Sequence, residues 1–164
     1  MADDKNSRGS DRADAMAGML ARAEAAVADL AKGYGAWALA DIEQCATFLA
    51  AARAIASHAA RVARARDIYG VAHNIKGQGS SFGYPLMTRL GQSLCELTRR
   101  KTAFTDSDLD LVAAHLDAMR LVLAKEIRGD GGELGQKLGA RMEEKVLAAL
   151  AGSESEGRGS EPGE

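Results

Sequence analysis

Apolar residues in this chain recur at steps of three and four, the spacing that gives a helix one apolar stripe. Nowhere do they alternate over a useful length, as a half-buried strand requires. Six helical segments follow from that pattern. The first covers about 14–31, with Met16, Met19 or Leu20, Ala23, Val27 and Leu30 on its stripe, and Gly33-Tyr34-Gly35 is expected to break it. The second covers about 36–57 and carries Leu39, Ile42, Phe48, Leu49 and Ile55. The third covers about 59–82. A break at Gly83-Tyr84-Pro85 follows, because the residue before a proline is pushed out of the helical region. Pro85 then suits the first turn of the fourth segment, about 85–100, which turns Leu86, Leu90, Leu94 and Leu97 inward. Thr105 or Asp106 caps the fifth, whose acidic first turn (Asp106, Asp108, Asp110) matches the helix dipole. It ends near 128, before Gly129-Asp130-Gly131-Gly132. The sixth, about 133–150, repeats Leu134, Leu138, Met142, Val146 and Leu150 at four-residue steps. This last helix has two readings, a cover for the core or a dimer or docking helix. Cover is favoured, since single amphipathic helices in small domains usually serve the core.

The third segment holds the least ordinary stretch, His73-Asn74-Ile75-Lys76-Gly77-Gln78-Gly79-Ser80-Ser81-Phe82-Gly83. On a helical wheel Lys76 lies about 60° from His73, Gly77 about 40° and Ser80 about 20°. Going backwards, Gly70 lies about 60° away and Arg66 about 20°. Val71, Ile75 and Phe82 fall on the far side, at about 160° to 180°. The helix is therefore expected to bury these three and hold the imidazole out to solvent. Glycine inside a helix costs roughly 0.5–1 kcal/mol against alanine, so glycines one turn either side of His73 call for a reason. Clearing space for another protein to reach the ring is one.

Hydrophobic residues make up 46% of the 164, but aromatics only 4%, and alanine, the best helix former, is abundant. That favours an all-α fold over any sheet. The length suits one domain at 13–150 between polar tails at 1–12 and 151–164, both expected to be disordered for want of apolar surface. Within it the second to fifth segments, about 36–128, suit an antiparallel four-helix bundle with short loops. The segments at about 14–31 and 133–150 are then additional N- and C-terminal helices. A net charge of −2 argues against nucleic acid as the main partner, which usually demands a basic excess. Cys45 and Cys95 stand apart, so they are read as buried apolar residues of a reducing cytoplasm. The three histidines show no metal-ligand spacing, and no metal site is expected. The N-terminus has no signal-peptide core, and no apolar run reaches the roughly 18–20 residues that span a bilayer. A cytoplasmic protein with no membrane association is the expectation.

His73, Lys76, Gly77 and Gly83 fill, without a gap, the signature of the histidine phosphotransfer (HPt) domain: His, two residues, Lys-Gly, five residues, Gly. The chain resembles that family, the intermediate carrier of bacterial and fungal phosphorelays. The likeness continues through Tyr84-Pro85-Leu86-Met87-Thr88-Arg89-Leu90-Gly91, and at the level of helix order it covers about 36–128. It implies that His73 accepts a phosphoryl group, on its distal ring nitrogen, from a receiver-domain aspartyl-phosphate and passes it to another response-regulator aspartate. The implied partners are receiver domains and a hybrid sensor kinase. Mg²⁺ and the nucleophilic aspartate would belong to the receiver, and the carrier would need no cofactor of its own.

The residues suit that chemistry. A free imidazole titrates near pH 6.5, so much of it is a neutral nucleophile at physiological pH. A mobile ammonium one turn away, Lys76, offsets the charge of the phosphoryl group. Ser80 can add a hydroxyl hydrogen bond, and Gly77 leaves the approach clear. There is no GxxxxGK[ST] loop, so the chain is read as a carrier and not an enzyme. Arg53, Arg61, Arg64, Arg66 and Arg89 are candidates for steering an acidic receiver, and of these Arg66 alone shares the His73 stripe. Gly70, Gly83 and Gln92 complete the expected partner face. One position departs from the family: where many HPt domains place a glutamine about twenty-two residues after the histidine, this chain has Cys95, with Gln92 one turn earlier as the expected substitute. His58 and His115 are read as structural. Two other classes compete: a helical adaptor that binds receivers without phosphotransfer, and a detached phosphoacceptor module of a chemotaxis-type kinase. A histidine-kinase dimerisation helix fits less well, since Asn74 stands where those carry an acid.

Overall fold

A computed structural model describes the backbone of residues 3–157 and the side chains of residues 9–152. Among them are five α-helices, one 3₁₀ turn and no strand: α1 (Asp3–Arg53), α2 (Val62–Gly79), the turn Ser80–Phe82, α3 (Pro85–Arg100), α4 (Asp106–Ala124) and α5 (Gly132–Gly157). The all-helical expectation holds, but six segments become five. The first two are one helix of 51 residues, running unbroken through Gly33-Tyr34-Gly35. Those glycines each cost roughly 1 kcal/mol, yet no proline precedes Pro85 and alanine surrounds them. Tyr34 between them is fully buried. The helix also begins at Asp3, within the stretch expected to be a disordered tail, and α5 runs to Gly157, past the expected end near 150. Residues 1–2 and 158–164 of the two expected tails lie outside the described residues.

The chain divides into two compact units, residues 1–35 and 36–164. The first is a helix with an open apolar stripe. In the second, Ala38, Ile42, Cys45, Leu49 and Ala52 of α1 are buried, as are Ala65, Ile68, Val71, Ala72 and Ile75 of α2. The Cys45 thiol points at the Ile68 carbonyl, 3.9 Å away. Leu90, Leu94 and Leu97 of α3 and Val112, Leu116 and Met119 of α4 complete the core. Helix α3 packs against α2, α4 and α5.

Polar contacts in the connecting segments hold these helices in place. Arg61 is buried, contrary to its expected place on a basic surface. It donates to the Ile55 carbonyl at 2.7 Å and the Phe104 carbonyl at 3.0 Å, and pairs with Asp106 at 2.8 Å. Phe104 N–H in turn reaches the His58 carbonyl. This cross-linking leaves residues 54–61 as a loop, so α1 stops at Arg53 and α2 starts at Val62, short of the expected junction near 57–59. Thr105, one of the two expected caps, forms a reciprocal capping box with Asp108 at the start of α4. Asp108 also takes a hydrogen bond from Lys101 at 2.8 Å, and both side chains are almost wholly buried. Helix α5 buries Met142, Val146 and Leu150 and packs on α3 and α4, the cover role favoured above.

The α2–α3 turn has a strict geometry. Tyr84 N–H bonds the Gly79 carbonyl at 2.8 Å and Gly83 N–H the Ser80 carbonyl at 3.2 Å. With Gly83 at φ 82° this is a Schellman motif, which a side chain at Gly83 would strain. Pro85 follows at the head of α3.

Candidate functional site

His73 is exposed midway along α2, while Val71 and Ile75 on the other face are buried. Phe82 is half-buried and meets Trp37 edge to face, ring centres 6.4 Å apart. A Cβ added at Gly70 or Gly77 would meet nothing within 4 Å. The packing therefore does not require glycine at either place, and both leave bare backbone beside the ring.

Lys76 is partly buried. The α2 and α3 backbones come so close beneath it that a Cβ at Gly91 would sit 3.0 Å from Lys76 Cα and N. Among the described residues no carboxylate forms a salt bridge with this ammonium. Burial pushes the Cys95 thiol up to about 11, against the pull of the nearby Lys76 charge, and Cys45, also buried, up to about 12. Both cysteines are free thiols and stay protonated at neutral pH, inert members of the core.

Tyr69, one turn before His73, was not singled out in the sequence. Its ring lies 6.0 Å from the imidazole, tilted by 45°. The signal was present as an i, i+4 pair of rings on one helix.

Other expected members are held elsewhere. The Ser80 hydroxyl donates to Thr88 Oγ1 at 3.0 Å, and Ser80 N–H bonds the same oxygen at 2.8 Å. Its proton is thereby committed to fastening the end of α2 to α3. Gln92 is exposed, but its amide donates to Glu96 at 3.2 Å, and among the described residues no hydrogen bond joins it to His73. Gly83 serves the Schellman turn. Of the arginines, Arg53 pairs with Asp110, Arg64 with Asp67 and Arg89 with Glu143. Arg66 is exposed and, among the described residues, belongs to no ion pair. The structure thus gathers Arg66, Tyr69, Gly70, His73, Lys76 and Gly77 on one stripe of α2.

His115, read as structural, is fully buried. Its Nδ1–H donates to the Leu111 carbonyl at 2.7 Å, so Nε2 is the atom that accepts from the Ser93 hydroxyl at 3.0 Å. Burial lowers its pKa from 6.5, although the Leu111 carbonyl favours the charged ring. His58 is exposed in the loop before α2.

Among the described residues no three histidine, cysteine or acidic side chains cluster as metal ligands. Among the described residues no helix is long and apolar enough to cross a membrane. No protein-family model, no curated protein and no solved structure matches the chain.

Proposed function

We propose that this chain is a histidine phosphotransfer protein of a two-component phosphorelay, with His73 as its phosphoacceptor. One observation carries the reading: the exposed imidazole stands on a helix between two glycines that the packing does not need. A phosphoryl carrier must let a second active site close over its nucleophile, and bare backbone at Gly70 and Gly77 provides that room. The HPt signature, filled by His73, Lys76, Gly77 and Gly83, points the same way.

In this reading residues 36–53 of α1 with α2, α3 and α4 form an antiparallel four-helix bundle, and α5 is an added layer. The donor is a receiver aspartyl-phosphate held by the receiver's own Mg²⁺. An imidazole nitrogen attacks phosphorus, the bond from phosphorus to the carboxylate oxygen breaks, and the carboxylate leaves with the electron pair. The ring's remaining N–H proton passes to solvent. Lys76 offsets the new negative charge, and Arg66 at the other end of the stripe attracts the acidic receiver. Transfer to a second receiver reverses these steps, so the chain carries phosphate without ATP chemistry, in the cytoplasm.

The test is transfer of label from phosphorylated receivers to the wild type and to His73→Gln. Acid-labile, alkali-stable label on the wild type alone is expected. Absence of label on both folded proteins across several receivers would leave a helical adaptor instead.

A further inference from the structure

From residue 9 to residue 30 of α1 no side chain is buried. Yet Met16, Met19, Leu20, Val27 and Leu30 lie on it at 72, 66, 61, 55 and 52% exposure. Large apolar side chains scattered singly need no explanation, but a continuous patch on one helix marks an interaction surface.

The pattern of the patch indicates its occupant. Ala13, Met16, Leu20, Ala23, Val27 and Leu30 follow one another at steps of three, four, three, four and three. Their mean spacing of about 3.5 residues is the seam of a coiled coil rather than the broader face of a core-covering helix. Beside the seam stand Ala17, Ala26 and Ala31, small enough for a second helix to approach closely. The charged residues Asp14, Arg22, Asp29 and Lys32 fall on the outer positions, where Lys32 already pairs with Asp29, and Glu24 flanks the seam as charged residues do at the edge of a coiled coil. Their signs are mixed, unlike the basic face of a helix that lies on an anionic membrane. Complete burial of the five large side chains in both copies would cover at most on the order of 1,000 Å², the lower end for specific interfaces.

We infer that residues 13–30 of α1 pair with the same segment of a second copy, making the protein a homodimer through a short coiled coil. This surface lies on the helix outside the His73 stripe and does not depend on the phosphotransfer reading.

The experiment is sedimentation equilibrium of the full chain from low micromolar to several hundred micromolar. Three proteins are compared: wild type, the Leu20→Lys/Val27→Lys double variant, and Ala25→Lys on the outer face. Because both seam positions are exposed, the double variant leaves the core untouched. Wild type and Ala25→Lys should approach twice the chain mass of 17.2 kDa, and the seam variant should remain at that mass throughout. A wild type of single-chain mass at every concentration overturns the proposal, as does a seam variant that doubles like the wild type. A single-chain wild type that co-sediments with phosphatidylglycerol vesicles would assign the stripe to lipid and equally overturn it.

Discussion

Arg89 of α3 grips Glu143 of α5 with two parallel hydrogen bonds, Nε to Oε1 at 2.6 Å and Nη2 to Oε2 at 2.8 Å. The guanidinium also donates to the Gln136 side chain at 2.8 Å and lies over Gly139, where a Cβ would meet it at 2.6 Å. Arg89 is therefore a fastening for α5. Its replacement by alanine should cost about 1 kcal/mol, the upper range for a partly exposed pair. Backbone amides around Met142 and Val146 should exchange faster in Arg89→Ala while those of α2 do not change. Unaltered exchange in α5 would show that apolar contacts alone hold it.

The same pair sets an acid response. The Arg89 hydrogen bonds hold the Glu143 carboxyl below its ordinary 4.5. A depressed folded pKa gives stability that is present above the unfolded value and lost as pH falls through the folded one. In Glu143→Gln that loss below about pH 4.5 should shrink, as urea midpoints measured at successive pH values would reveal. An acid limb equal to the wild type's would place the effect elsewhere.

His115 acts at a higher pH. Its pKa is lowered in the fold, so the unfolded chain binds the extra proton first. Stability should be full above the unfolded value near 6.5 and decline as pH falls below it. The urea midpoint should drop between pH 7.5 and pH 5.5, and His115→Gln should flatten that interval even if it lowers stability throughout. An equal slope in both proteins would clear His115 of the effect.

Gly77 and Gly91 should respond oppositely to alanine. At Gly77 the new methyl meets open space, so Gly77→Ala should stabilise by roughly 0.5–1 kcal/mol. At Gly91 it would press on the Lys76 backbone and cost about 1–3 kcal/mol. Gly77→Gln should remain folded but lose phosphotransfer, because its side chain crowds the ring. Full transfer by Gly77→Gln would defeat the clearance argument.

Lys76→Ala tests the charge argument. Its phosphohistidine should form more slowly or decay sooner than the wild type's, since no other ammonium stands on this stripe among the described residues. Identical formation and decay rates would remove Lys76 from the site.

Much of this was legible in the chain. Val71 and Ile75 against His73 gave the orientation of α2, and Tyr84-Pro85 gave the start of α3, because helical period and proline chemistry are local. The cap at Thr105 was readable for the same reason, alongside Asp106 as the other candidate. The partners of Arg89 and Arg61, Glu143 and Phe104, could not be read because they are chosen by packing between distant segments, and that of Ser80, Thr88, depends on how the α2–α3 turn closes. Gly33 and Gly35 misled in another way: their cost is real, but it is outweighed in a helix that continues on both sides. Tyr69 was visible as a spacing and went unread beside the stronger His-Lys-Gly pattern.

The Gly83 carbonyl accepts a hydrogen bond from Gly129 N–H at 3.0 Å. Arg128 donates to the Phe82 carbonyl and lies 4.3 Å over the Tyr84 ring. The peptide that follows α4 is thus stitched to the final glycine of the His73 signature. Trimming the protein to a minimal bundle ending near residue 124 would remove α5 and also unpick the far end of the helix that presents the imidazole. Deletion mapping of the shortest chain that still presents His73 on a folded α2 should accordingly find its boundary after residue 129.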